Sequence, residues 1–383
     1  MRTYRGLFRT PEFTPLLLAS TGLSAAQTVA GLALGLLVLE STGSPLLSSL
    51  AMFGPALAQL AGAATVLSGA DRLPPRAALT GLALVSGLGT ALQALPGLPV
   101  WALFAVLLGL GLGGSLGGGV RYGLLHEILP RDGYLLGRSV VSMSAGIVQI
   151  CGFAVGGILV ATLSARGTLV AAAALHLPTA AVTRFGLRPR PPRAGGRPSV
   201  TETWRTNARL WSSAPRRAVF LALWLPNGLV VGVESLYVPY APGGAGLLFA
   251  VGALGMLAGD LLVGRVLPTR WRPPLAVPLC ALLAAPYLLF ALRPGPAPAA
   301  GLVALATVGY ASGLLLQDRL LALTPAELSG QALGLHSSGM LAGQGLGAAA
   351  AGTVAQLTSP AVGMALTAAA SLAVTLMLAR RLG

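Results

Sequence analysis

The sequence predicts an all-α membrane protein, with twelve transmembrane helices in two pseudo-symmetric six-helix bundles. Three observations predict it. Hydrophobic residues make up 55% of the chain and charged ones only 9%, where a soluble domain carries about 25% charged residues. Apolar stretches long enough to cross a bilayer recur from one end to the other. A long basic connection divides them into six and six. No single aqueous core can bury this much apolar surface, so the remainder must face lipid.

A spanning helix needs about 20 apolar residues. Twelve segments meet that length, at roughly 13–39, 46–69, 77–95, 99–125, 137–164, 168–187, 216–240, 244–266, 274–292, 298–322, 331–357 and 360–380. Between them stand turn signals: "STGSP", "LPGLP", "LPRDG", "APGG", "RPGPAP" and "LTSP". Proline and glycine there stop one helix and allow the chain to reverse. The first segment follows "MRTYRGLFRTPEF" and runs too long for a cleaved leader, so it is expected to be retained.

The basic residues fix an orientation. All are arginine, as a GC-rich bacterial gene would encode, and the formal net charge is +15. With the N-terminus cytoplasmic, Arg2, Arg5, Arg9, Arg72, Arg76, Arg131, Arg138 and the cluster from Arg184 to Arg217 are inside. Arg265, Arg270, Arg272, Arg380 and Arg381 join them, and only Arg166 and Arg293 fall outside. Cationic loops stay cytoplasmic, so a bacterial cytoplasmic (inner) membrane with both termini inside is expected. The scatter of arginines between apolar segments excludes a nucleic-acid face.

Three regions follow: an N-terminal bundle over 1–187, a basic linker over 188–215 and a C-terminal bundle over 216–383. The linker begins "RPRPPRAGGRPS", an extended composition. It ends in "VTETWRTNARLW", where Val200, Trp204, Ala208 and Trp211 share one helical face. An amphipathic helix in the membrane interface is expected there.

The halves also repeat. Gly137, Gly146 and Gly152 match Gly330, Gly339 and Gly345 at one constant offset, which also brings Arg72 onto Arg265. A duplicated six-helix unit explains this. The glycines of "CGFAVGG" and "GQGLG" let helices approach closely, and these segments occupy matching places in the two halves, where the halves are expected to rub together. "GLGLGG" and "GGSLG" mimic nucleotide-binding and nucleophile motifs, but both sit inside an apolar span rather than on a strand–turn–helix.

Twelve segments in two halves, the central basic linker and "SGADRLPPR" after the second segment resemble the major facilitator superfamily of secondary transporters. The superfamily pattern at that loop is G-x-L-A-D-R-x-G-R-[RK]. Asp71, Arg72 and Arg76 match it, while Leu67, Gly69, Pro74 and Pro75 depart from it. "ESTGSPL", "QICGFAVGG" and "GQGLGAAAAG" resemble segments of exporters in the superfamily. The resemblance implies a gate on the cytoplasmic side, where Asp71 faces an arginine network and the N-terminus of the eleventh helix. Arg121 either snorkels or pairs with Asp71, and pairing is the favoured reading. Asp260 with Arg265, and Asp318 with Arg319, stand as the gate's counterpart in the second half. The superfamily's drug antiporters often carry an arginine earlier in the fourth helix, where Ala105 stands here.

The resemblance also implies that the first, fourth, seventh and tenth helices line the cavity. Ionisable groups within a span are costly and mark function. Glu234 in "WLPNGLVVGVESLYVPYA" is the candidate proton-carrying or cation-binding carboxylate, with Asn227 two turns earlier on the same face. Gln27, Tyr237, Tyr310 and Gln317 complete the candidate substrate set. His176 and Cys151 and Cys280 read as packed residues. Three scattered histidines and two cysteines leave no catalytic cluster, metal site or cofactor site. The expected activity is alternating-access transport of a small lipophilic molecule, outward and proton-coupled, by a monomer in the lipid bilayer. An importer, a uniporter and a non-transporting membrane scaffold remain the alternatives.

Overall fold

The computed structural model describes residues 4–65, 73–192, 200–325 and 328–382. The described chain is helical almost throughout. A short α1 (Tyr4–Phe8) precedes α2 (Phe13–Thr42), α3 (Pro45–Thr65), α4 (Pro75–Gln93) and α5 (Val100–Ile128). Next comes α6 (Arg131–Gly186), which Ser164 breaks with φ 67° and ψ 169° into the expected fifth and sixth segments. After the linker come α7 (Val200–Ser212), α8 (Ala214–Ser235), α9 (Tyr237–Tyr240), α10 (Ala245–Leu261), α11 (Arg272–Ala284), α12 (Pro296–Val308), α13 (Ser312–Ala322), α14 (Ser329–Leu357) and α15 (Pro360–Leu382).

Among the described residues, nine helical stretches are long and apolar enough to cross a membrane. One of them, Ile147–Gly186, covers parts of two expected segments. The expected segments 77–95 and 331–357 are helical as α4 and α14. Their glycine, serine, threonine and glutamine dilute the apolar content, so sequence hydropathy alone does not single them out.

Proline starts the helices and glycine turns the chain. Pro45, Pro75, Pro296 and Pro360 each stand in the first turn of a helix, where the missing N–H has no intrahelical partner to lose. Gly43 and Gly97 adopt φ of 65° and 78° in the turns after α2 and α4. Within the helices, hydroxyls bond back to their own backbone. Ser20 donates to the Leu16 carbonyl at 2.8 Å, Thr28 to Ser24 at 2.9 Å and Thr307 to Val303 at 2.9 Å. Such bonds keep a hydroxyl satisfied where no water reaches it.

The described residues form two compact units, one of residues 1–37 and 58–197 and one of residues 38–57 and 198–383. In the first, Leu7, Phe13, Leu16, Leu124, Leu125 and Leu187 form a buried cluster at the arginine-rich end. A polar clasp sits beside it. Arg190 grips the buried Glu12 in a fork, with Nη1–Oε2 at 2.6 Å and Nη2–Oε1 at 2.8 Å. The Arg188 amide donates to the same carboxylate at 3.1 Å, and Arg190 Nε lies 3.6 Å from Glu127 Oε2. Burial alone would raise the Glu12 pKa, but the Arg190 fork, the Arg188 amide and both positive charges outweigh it and hold the carboxyl below its ordinary value.

The clasp makes stability depend on pH. A carboxyl with a depressed folded pKa stabilises the fold above its unfolded value of 4.5, and that contribution fades as pH falls through the folded pKa. Arg190→Gln should destabilise the detergent-solubilised protein by about 2 kcal/mol at neutral pH, because it leaves a buried carboxylate short of donors. The double variant Glu12→Gln/Arg190→Gln should recover part of that loss. Equal unfolding midpoints for Arg190→Gln and wild type would show the clasp to be neutral.

The second unit is built around α8 and α14. Backbone meets backbone: a Cβ added at Gly347 would overlap the Gly228 carbonyl, and one at Gly232 would overlap the Gly347 carbonyl. In the first unit, Gly152 packs on Thr28 and Gly156 on Val29 and Leu32, so α6 meets α2 through glycines. Each unit therefore joins its fifth expected segment to its first in the same manner. On α14, Gly343 and Gly347 face α8, while Gly345 packs on Leu57 and Gly352 on Leu46 and Ser49 of α3, a segment of the first half.

The linker helix, Val200–Ser212, also docks on protein. Leu210 is fully buried in a cluster with Phe220, Leu223 and Ala332, whereas Ala208 is exposed. Asn207 accepts a bond from Gln331 Nε2 at 2.9 Å, and Trp211 stacks on Trp224 at 5.7 Å with the planes 10° apart. The docking face is thus Asn207–Leu210–Trp211. Trp211 belongs also to the stripe read from the sequence, and packing against α8 and α14 adds Asn207 and Leu210. The side chains of Val200 and Trp204 lie outside the described ones.

Candidate functional site

Glu234 occupies the last turn of α8, before Leu236 ends the helix. Tyr310 comes from the 3-10 turn Gly309–Ala311 that separates α12 from α13. Its hydroxyl donates to Glu234 Oε1 at 2.9 Å. The irregular turn is closely packed. A Cβ at Gly309 would run into the backbone of Leu279 and Leu283, so α11 lies directly against it.

Tyr310 also lines a cavity of about 190 Å³ within the second unit. Asn227, Asp260 and Gln317 line it too, among apolar side chains that include Leu223, Met256 and Met340. Asn227 Oδ1 accepts a bond from Gln344 Nε2 at 3.3 Å, which orients its amide. The structure therefore brings together Asn227, Tyr310 and Gln317 of the candidate substrate set. It adds Asp260, which the sequence reading assigns to the cytoplasmic gate. Asp260 makes no ion pair among the described residues. A π-turn, Leu262–Val266, follows it and carries the exposed Arg265.

The remaining candidates fall elsewhere. Tyr237 is fully buried and shares a hydroxyl–hydroxyl bond with Tyr287, while its ring packs edge-on against Phe249 at 4.9 Å. Its hydroxyl is therefore held by protein. Gln27 is exposed on α2 in the other unit. Arg76 begins α4 and is partly buried. Arg121 and Arg138 each place a guanidinium 5.1 Å from the centre of the Tyr122 ring, a cation–π contact on both. Arg121 Nε has no hydrogen-bond partner among the described residues. Asp318 is exposed and Arg319 partly buried at the end of α13. Asp71 and Arg72 lie outside the described residues, as does any contact they make.

Two groups escape the sequence reading. Tyr287 is a lone phenol in the apolar run "VPLCALLAAPYLLF", and that polar interruption was its signal. Glu12 precedes the first span by one residue, and its partner Arg190 lies in the linker. Nothing local marks that pair.

Among the described residues no cluster of three or more histidine, cysteine or acidic side chains is placed to hold a metal ion. The site offers hydrogen-bond donors and acceptors, two carboxylates and an apolar wall. That equipment can bind and release a molecule or a proton.

Comparison with known proteins points the same way. No curated protein matches the sequence. Among solved structures, a bacterial homologue of the human lysosomal transporter Spinster, inward-facing and unoccupied, is similar with a TM-score of 0.75 at 14% identity, covering 98% of this chain and 96% of that one. The nucleoside transporter NupG is similar with a TM-score of 0.75 at 13% identity, covering 96% and 99%. The peptide transporter POT in complex with alafosfalin is similar with a TM-score of 0.69 at 13% identity, covering 99% and 98%. Likeness at this identity establishes the fold. The family model of the Major Facilitator Superfamily matches residues 16–317, and the chain therefore belongs to that superfamily of multi-pass membrane transporters.

Proposed function

We propose that the protein exports a small lipophilic molecule across the cytoplasmic membrane by alternating access, in exchange for protons carried by Glu234. The observation that carries this reading is the Tyr310–Glu234 hydrogen bond, made between two helical stretches beside an apolar cavity. An ionised carboxylate accepts that bond strongly, and a protonated one accepts it weakly. Gain or loss of a proton at Glu234 therefore changes what holds the Gly309–Ala311 turn. Because that turn joins α12 to α13, the proton is coupled to the position of a cavity wall.

The lining supports a lipophilic cargo. Leu223, Met256, Leu283 and Met340 are among the apolar side chains that line it, with Asn227 and Gln317 as polar contacts. Methionine adapts to varied shapes. On the cytoplasmic side Asp71, Arg72, Arg76 and Arg121 form the proposed gate, with Asp318 and Arg319 as the second half's share. Asp71→Asn should enrich the inward-open state, which accessibility of a cavity cysteine to a cytoplasmic thiol reagent would report. Unchanged accessibility would reduce Arg72 and Arg76 to topology signals.

Gradient-driven transport in proteoliposomes, compared with exchange without a gradient, tests the reading as a whole. Accumulation against a gradient of substrate, driven by pH and lost on replacing Glu234, supports proton antiport. Equilibration alone favours a uniporter.

A further inference from the structure

A second cavity, of about 630 Å³, opens among the helix ends of the second unit that lie opposite its arginine-rich end. The connections after α9, before α12 and before α15 frame it. Five of its lining residues are prolines, at 239, 242, 294, 296 and 360. Proline fixes its own φ, so this wall is preformed and loses little entropy when filled. Tyr240 donates to the Pro294 carbonyl at 2.8 Å and packs edge-on against Phe290, which pins the connection that carries Arg293.

Arg293 is the one lining residue with a formal charge. It is exposed, and it makes no ion pair among the described residues. Its backbone is left-handed, with φ 52° and ψ 57°. A side chain with a Cβ is disfavoured there and glycine is not. This chain contains 52 glycines, yet arginine holds that position. The backbone geometry costs stability, so the guanidinium must supply something a glycine cannot.

A leucine stripe leads away from the cavity. Leu247 lines it, and Leu247, Leu254, Leu257 and Leu261 are exposed along one side of α10. From Leu247 to Leu261 the helix rises about 21 Å, more than one leaflet's half of the ~30 Å hydrocarbon core. A cation at the helix ends with an apolar track running inward matches an anionic headgroup with its acyl chain.

We infer that this groove is a binding site for an anionic phospholipid, with the phosphate on Arg293 and one acyl chain along the α10 leucines. The protein spans a bilayer, so such a molecule is present at that level of the helix ends. The proposal does not depend on what the transporter carries.

The test uses the delipidated full chain in neutral detergent, with phosphatidylglycerol or phosphatidylcholine added back. Phosphatidylglycerol should raise the unfolding midpoint of the wild type by about 3 °C or more, and phosphatidylcholine should not. Arg293→Gly should remove that preference yet unfold at or above the wild-type midpoint without lipid, since it relieves the left-handed strain. Arg293→Lys should keep part of the preference. Equal responses of the wild type to both lipids, or an intact phosphatidylglycerol response in Arg293→Gly, would overturn the site. So would competition for it by a transported compound in the same assay, because the groove would then belong to the cargo.

Discussion

Glu234→Gln is expected to abolish accumulation driven by a pH gradient while leaving substrate exchange intact. Glutamine keeps the size of the side chain and can still accept from the Tyr310 hydroxyl, but it cannot change charge. With one proton per cycle, each pH unit of gradient supports up to about 10-fold accumulation. At two units the wild type should reach roughly 100-fold and the variant should only equilibrate. Tyr310→Phe is the companion. It removes the 2.9 Å hydrogen bond and keeps the titratable carboxyl. Exchange should survive while pH-driven accumulation falls well below that of the wild type, because the proton no longer acts on the Gly309–Ala311 turn. Full gradient-driven transport by Glu234→Gln in proteoliposomes would remove Glu234 from the mechanism. Asp260, on the wall of the same cavity, would then be the carboxylate to replace.

Gly347→Ala should produce the largest loss of stability. Its new methyl would overlap the Gly228 carbonyl, which is backbone and cannot rotate away. To accommodate it, α14 and α8 must separate, and the cost should be about 2–3 kcal/mol. Gly334→Ala, on the same helix, is the control. A Cβ there meets nothing within 4 Å, and alanine is the better helix former by roughly 1 kcal/mol. Unfolding midpoints in detergent should therefore move in opposite directions for two identical substitutions on one helix. If both fall equally, α14 is limited by something other than its contact with α8.

The length and composition of the apolar runs decide where helices form, because a backbone in lipid must satisfy its own hydrogen bonds. Pro45, Pro75, Pro296 and Pro360 mark helix starts for a local reason, and they could be read one residue at a time. Glu234 was legible as well, since a carboxylate inside an apolar run is conspicuous whatever surrounds it. The pairing of glycine-rich segments was partly legible. "GQGLG" announces a close approach but not its partner, and that partner, Gly228, lies more than a hundred residues earlier.

What the sequence by itself determined, then, is the class of the protein, the course of its helices and the place of a carboxylate, Glu234, inside an apolar run. Each follows from local chemistry, the transfer of side chains and backbone from water to lipid. Only the tertiary structure decided which polar groups share a cavity. It moved Asp260 beside Asn227, Tyr310 and Gln317, and it tied Tyr237 to Tyr287 in the interior. It also closed Arg190 on Glu12 and buried Leu210 of the linker helix against Phe220 and Leu223. Those outcomes depend on how helices rotate against one another. In a chain that is apolar around nearly every helix, hydrophobic patterning cannot set that rotation. The close contacts of glycine and the few available hydrogen bonds set it instead.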